Sequence, residues 1–460
     1  MKKQLVTGSL IIVSLAFSTL NNHLKDKEPE YIPASTQRSG NAAQGYNYLT
    51  TGNYLKSGIP YQVFMLGTAK DSNNFLQRTG FNKNLSYDFT AVQAPNGELV
   101  VAPNCLQCHA QVFEGKLVIG LGNSFSDFTQ NRAGIAVMAE KLLKNLTGEQ
   151  AKKYDAAKNF ITALKTISPK LVTPSKGVNL ADRLAAVLVA HRNPVTLQWS
   201  DTPLLTIPNE VVPSDVPAWW LLKKKHGMFY NGFGRGDFGK FLMASNLLTV
   251  TDTAEAAEVD SHFNDVLAYI NSIEAPLFPK TIDAALAGQG KQIFKASCAK
   301  CHGTYGSNGH YPNLLIPQSV IQTDSALYTA NYSAPQFVDW FNKSWFTTGK
   351  YPAKLVPYRG YLAQPLDGVW ATAPYLHNGS VPDLEGVLNS KKRPTYWQRN
   401  FSNPVYNYTI PGWYVQVKER AGGSDVYNTT LPGYGNGGHY FGDNLTDAER
   451  TAVIEYLKTL

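Results

Sequence analysis

The chain has 460 residues, 43% hydrophobic and 17% charged, with a formal net charge of +8. That length and apolar content make a globular protein with room for two or three domains. The positive balance does not mark a nucleic-acid binder, because the lysines are scattered. The only basic runs, Lys223-Lys224-Lys225 and Lys391-Lys392-Arg393, read as solvated faces or as neighbours of an acidic group.

The N-terminus reads as an export signal over residues 1–18. Lys2 and Lys3 precede a short apolar run, Leu10 to Phe17, and Ala16-Phe-Ser18 offers small residues for cleavage. The run is too short to span a bilayer comfortably, no cysteine follows it to carry a lipid, and nothing later resembles a membrane span. A periplasmic protein without a stable membrane anchor is expected. Residues 19–45 are polar, with Lys25-Asp-Lys-Glu-Pro-Glu30, and read as a flexible lead-in.

An N-terminal domain is expected over 46–275. Asn96-Gly97, between Phe89–Gln93 and Glu98–Val101, signals a hairpin. Helices are predicted over Ala133–Leu146, Gln150–Ile167 and Leu180–His191, the last two ending before Pro169 and Pro194. A proline-rich loop, Pro203 to Pro217, then leads into Trp219-Trp220 and Met228 to Phe238. Pro276 and Pro279 flank a linker. A C-terminal domain is expected over 280–460, opening with a helix near Ile282–Lys295. It closes with one that starts at a capping box, Thr446-Asp-Ala-Glu449, and carries an apolar stripe at Val453, Ile454, Leu457 and Leu460. The fold class is mainly α, in two domains with long loops and a few short β-hairpins.

All four cysteines lie in two copies of one pattern, Cys105-Leu-Gln-Cys108-His109 and Cys298-Ala-Lys-Cys301-His302. C-x-x-C-H is the c-type haem attachment sequence. Two thiols one helical turn apart can add to the two vinyl groups of one porphyrin, and the next residue supplies an axial imidazole. A structural zinc site would hold its cysteine pairs about 15–20 residues apart, and a dithiol redox site needs no following histidine. Two covalently attached c-type haems are therefore expected, with His109 and His302 on the irons, in two cytochrome c-like haem domains. In cytochrome c folds the first and last helices cross, so the two helices of the C-terminal domain are expected to cross, with Gly290 permitting close approach.

The sixth ligands are less determined. The five methionines, at 1, 65, 138, 228 and 243, all precede the second motif. The second haem is thus left with His310, His377 or His439. His310 stands too close in sequence to swing to the opposite face. His439, in the flexible Gly433-Tyr-Gly-Asn-Gly-Gly-His439, is the first choice and His377 the alternative. For the first haem the candidates are His191, His226, His262, Met138, Met228, Met243 or none. Trp219, Trp220, Tyr230 and Phe233 read either as an apolar wall beside an open iron or as ordinary core.

These residues resemble the bacterial di-haem cytochrome c peroxidase superfamily. The segment Gly368-Val-Trp-Ala-Thr-Ala-Pro-Tyr-Leu-His-Asn-Gly-Ser-Val-Pro-Asp-Leu-Glu385 looks like its shared signature. The chain is most similar to the di-haem rubber oxygenase-like branch in Asp215–Trp220, Phe229–Asp237, Arg393–Trp397 and Thr430–Gly442. The resemblance implies an open iron at His109, lined by Trp219, Trp220 and Phe233, and a bis-histidine haem at His302 and His439. It also brings the calcium that peroxidase relatives often hold. Two departures matter: peroxidases put a methionine on the electron-accepting haem, and the rubber oxygenases are longer.

The expected function is a periplasmic di-haem oxidoreductase. Its N-terminal haem would activate O2 or peroxide and its C-terminal haem would transfer electrons. The partners would be a redox protein or an apolar small molecule, and the chain a monomer or weak dimer. A non-enzymatic electron carrier, a peroxidase proper, and a protein that oxidises another protein through aromatic relays are the alternatives.

Overall fold

The computed structural model describes residues 28–68 and 70–460. The export signal expected over 1–18 lies outside the described residues, as does 19–27 of the lead-in.

Residues 28–45 are not a loose lead-in. Strand β1 (Glu30–Tyr31) pairs antiparallel with Leu314–Leu315, and Ile32 is buried. The Arg38 guanidinium donates to both carboxylate oxygens of Asp237, at 3.0 and 2.8 Å, and to Asp260 at 2.9 Å. Polar composition suggested disorder, but ladder bonds and ion pairs more than 190 residues away in sequence hold the segment. Helix α1 (Ala42–Thr51) follows, capped by Asn41, whose side chain accepts from the Gln44 amide.

The hairpin forms as its turn residues dictate. Strand β2 (Ile59–Pro60) lies beside β4 (Leu99–Pro103), which pairs with β3 (Phe89–Gln93) across the Asn96-Gly97 turn. A second hairpin, β5 (Ala110–Phe113) and β6 (Lys116–Ile119), leaves the first cysteine motif directly. The next three predicted helices appear nearly as expected: α2 (Ala133–Lys144), α3 (Lys152–Ile167) and α4 (Ala181–Ala190). Strand β7 (Gly234–Gly236) pairs with Ala353–Leu355 of the second half.

Helix α5 (Thr253–Ser272) is capped by Asp252 and carries buried Ala256, Val259, Phe263, Val266, Leu267 and Ile270 on one stripe. It packs against α1 so closely that a Cβ on Gly45 would overlap the Asp265 carbonyl. The second half repeats this device. Helix α6 (Ala284–Ser297) crosses α7 (Asp447–Leu457), and a Cβ on Gly290 would overlap the Ala452 carbonyl. The expected capping box at Thr446 and Glu449 is present.

Among the described residues the fold is mixed rather than mainly α, at 40% helix and 13% strand, with small sheets and no barrel. Most strands are two to five residues long, too short to register as alternation in the sequence. Two large apolar cores form, and neither respects the expected boundary near residue 275. Trp340, Phe341 and Phe346 from the second half enter the first core, while Phe113 and Leu121 from the first half enter the second. Trp219 belongs to one core and Trp220 to the other, so this dipeptide is a seam between them.

Candidate functional site

The first motif begins where β4 ends. Asn104 accepts from the Leu106 amide and starts a single helical turn, Leu106–His109. The Tyr54 hydroxyl accepts from the Cys105 amide at 3.2 Å, and Asn179 donates to the Cys108 sulfur at 3.3 Å. None of the four cysteines is in a disulfide. Burial raises the thiol pKa of Cys105 and Cys298 to about 11.

His109 lies deep in the fold, and burial pushes its pKa down to about 3, keeping the imidazole neutral. Its Nδ1 is buried without a hydrogen-bond partner. Trp219 stacks on the ring at 4.4 Å and 17°. Imidazole nitrogens bind from the ring edge, whereas Trp219 covers the face. Trp219 is thus a stacked neighbour of the histidine ring. Trp220 turns the other way and donates its indole N–H to the Asp367 carbonyl at 2.8 Å. Phe233 packs on Phe229 at 5.3 Å in the Trp219 core. The three expected site aromatics are thus not gathered around one space.

The second motif caps α6. Cys298 ends that helix and Ala299–His302 forms one further turn. The His302 Nδ1 bonds the Gln364 carbonyl at 2.8 Å, which fixes the ring and leaves Nε2 free. Metal-binding histidines are oriented by just such carbonyl partners.

His439 comes to this ring from the opposite end of the chain, with centroids 6.2 Å apart. For metal–imidazole bonds of about 2 Å and rings of about 1.1 Å radius, two imidazoles on opposite sides of one ion stand about 6 Å apart. The observed separation is of that size. Burial pushes His439 down to about 4, again favouring the neutral form a ligand needs.

Backbone geometry puts His439 there. It adopts a left-handed φ of 51° after Gly438 at 80°, where a Cβ would overlap the Gln322–Thr323 backbone. Its amide donates to the Ile321 carbonyl at 2.7 Å. Arg393 clamps the loop, donating to the Asn436 and Gly438 carbonyls at 2.7 and 2.6 Å and to Gly386 at 2.7 Å. This clamp went unread in the sequence, where only its place in a family-like string stood out.

The remaining candidates are engaged elsewhere. His377 stacks on Tyr361 at 4.1 Å, and its Nε2 meets the Tyr361 hydroxyl at 3.1 Å. His310 is exposed in a tight loop. His191 bonds the Ser200 carbonyl and stacks on Trp199, and His226 bonds the Ile32 carbonyl. His262 stacks on Tyr48, and Met138 is exposed on α2. Met228 and Met243 are packed in the first core.

Among the described residues no group of three or more His, Cys, Asp or Glu gathers to hold a metal. An iron whose equatorial ligands come from a porphyrin needs only one or two side chains.

Comparison with known proteins finds a likeness in one short segment. Residues 360–398 match the model of the RoxA-like, cytochrome c-like family. The match makes this segment cytochrome c-like and points to a haem cofactor. It holds Tyr361, Gln364, His377 and Arg393, and leaves both cysteine motifs outside.

Two curated relatives, both from Sinorhizobium fredii (strain NBRC 101917 / NGR234), are similar to the chain. Uncharacterized protein y4iM is 26% identical over 290 residues, 55% of this chain and 66% of that protein. Uncharacterized protein y4iJ is 39% identical over 111 residues, 22% of this chain and 18% of that protein. The chain thus spans just under two thirds of the first relative and a small part of the second. Among the described residues no helix is long and apolar enough to cross a membrane.

Proposed function

We propose that this chain is an exported di-haem c-type cytochrome of the RoxA-like kind, acting as an oxidoreductase in the periplasm. Cys105, Cys108 and His109 would hold one haem; Cys298, Cys301, His302 and His439 would hold the other. The observation that carries the proposal is the 6.2 Å approach of His302 and His439, set by a carbonyl on one side and an arginine-clamped loop on the other. Bound haem supplies one-electron chemistry and, where one axial position is free, an iron open to O2 or peroxide.

The chain's own residues divide the work between the two sites. At the second, His302 and His439 would hold the iron from both sides, an arrangement that would favour electron transfer over small-molecule binding. At the first, no candidate histidine makes a ring contact with His109 among the described residues, which favours an open position there. Trp219 shields the flat face of that imidazole from water and fixes its rotation. Apolar surroundings in the Trp219 core suit O2 and an apolar substrate. The electron-carrier alternative requires a sixth ligand on both irons; among the described residues none of His191, His226 and His262 makes a ring contact with His109, and their rings face Trp199, Tyr31 and Tyr48 instead.

A carbon monoxide titration of the fully reduced protein tests this. One of two haems shifting its Soret band is expected. No shift would leave a closed electron carrier, and two shifts would remove His439 from the second iron. Cys298→Ser should leave one covalent haem, and retention of two would overturn the attachment scheme.

A further inference from the structure

A buried amine stands behind the second motif histidine. Lys225 closes the 3-10 turn Trp219–Lys224 and is only 5% exposed. Its two lysine neighbours are neutralised at the surface, Lys223 by Glu274 and Lys224 by Asp367. Lys225 has no ion pair among the described residues; its Nζ donates to the Gln364 Oε1 at 2.8 Å and reaches the Phe229 carbonyl at 3.3 Å. With no carboxylate to offset it, burial pushes the amine down to about 7. An uncompensated buried ammonium is costly.

The same Gln364 accepts from His302 Nδ1 on its main-chain carbonyl, at 2.8 Å. One residue therefore takes the amine on its side chain and the imidazole on its backbone. At the other end of the same turn, Trp219 covers His109. Seven residues, 219–225, thus touch the surroundings of both motif histidines.

We propose that Lys225 is a positioning residue for electron transfer: held by Gln364 behind His302, its positive charge raises the reduction potential of the haem at His302. The inference rests on the di-haem reading above and deepens it. A fixed cation stabilises the state that has gained an electron, and the effect is large where water is excluded. The charge lies on the second haem's side of the turn, so it biases an electron toward that haem and away from His109.

The test is an optically monitored redox titration of the holoprotein at pH 6, below the depressed pKa of the amine. Lys225→Met keeps the aliphatic stem and removes a buried charge, a change that packed interiors tolerate. It should make reduction of the low-spin second haem less favourable by about tenfold, or about 59 mV for one electron. The low-spin spectrum and the titration of the first haem should not move, and Lys225→Arg should retain the wild-type potential. A Lys225→Met protein that titrates like wild type overturns the proposal. So does a Lys225→Arg protein that shifts as far as Lys225→Met, since packing and not charge would then be responsible. A wild-type protein lacking a low-spin second haem overturns instead the ligation on which the proposal stands.

Discussion

Arg393→Met isolates what holds His439 in place. The wild-type guanidinium makes three short bonds to the carbonyls of Gly386, Asn436 and Gly438, and longer ones to Val387 and His439 at 3.4 and 3.3 Å. Charge-assisted hydrogen bonds contribute about 1.5–3 kcal/mol each, for a gross sum near 5–9 kcal/mol. Part of that offsets the burial of the guanidinium itself, which lowers its pKa, and water replaces part of the rest at a half-buried site. A net loss of about 2–4 kcal/mol in loop closure remains, a shift of about 30- to 1,000-fold in the local opening equilibrium.

Hydrogen exchange of a peptide spanning 433–442 reads this directly, with or without cofactor. The His439 amide, bonded to Ile321, is the most informative proton. Arg393→Lys should fall between, because one ammonium cannot serve carbonyls on two separate segments as a planar fork does. In the holoprotein the variant should turn part of the second haem high-spin. Protection within twofold of wild type in Arg393→Met would refute the clamp.

Three further outcomes follow from single contacts. Gly290→Ala should destabilise by about 2–4 kcal/mol by denaturant midpoint, against the gain of about 1 kcal/mol that Ala brings to an open helix, because the new methyl meets the Ala452 carbonyl; a stabilised variant would mean that α6 and α7 do not cross there. His439→Ala should convert a low-spin haem to high-spin, whereas His377→Ala should leave the spectrum alone and lose about 2–4 kcal/mol of stability through its Tyr361 packing; the reverse pattern would exchange their roles. Asp215→Asn addresses a pH effect. Burial pushes the Asp215 carboxyl from 3.8 up to about 7, opposed by a 2.6 Å bond from the Tyr230 hydroxyl. Between those values the folded chain holds a proton that the unfolded chain has released. The stabilisation is full below pH 4 and is lost as pH climbs through 7. Denaturation midpoints at pH 5 and 8.5 should therefore show the wild type losing about 1–3 kcal/mol relative to Asp215→Asn; parallel midpoints would sink the idea.

The sequence by itself determined what is local. Two thiols and an imidazole within five residues declare their chemistry without any fold. Asn96-Gly97, the Thr446–Glu449 box and the stripes of α2, α3 and α4 each act within one or two turns of chain, so propensity and periodicity suffice. The α6–α7 crossing was expected from the cytochrome c pattern that the second motif announces, with Gly290 as the small residue at the contact.

Tertiary structure decided whatever depended on surfaces meeting. Residues 28–45 look disordered until Asp237, Asp260 and Leu314–Leu315 arrive to pair with them. Trp219 and Trp220 are alike in sequence, yet one stacks on His109 and the other bonds Asp367 because the backbone between them crosses from one core to the other. His439 stands beside His302 while His377 packs on Tyr361, because Arg393 claims one loop and Tyr361 one ring. Lys225 looked like part of a solvated run; only the fold lays Gln364, 139 residues away, across its amine and His302 together. Burial and partnership are properties of the packed chain, and no window of sequence contains both members of such a pair.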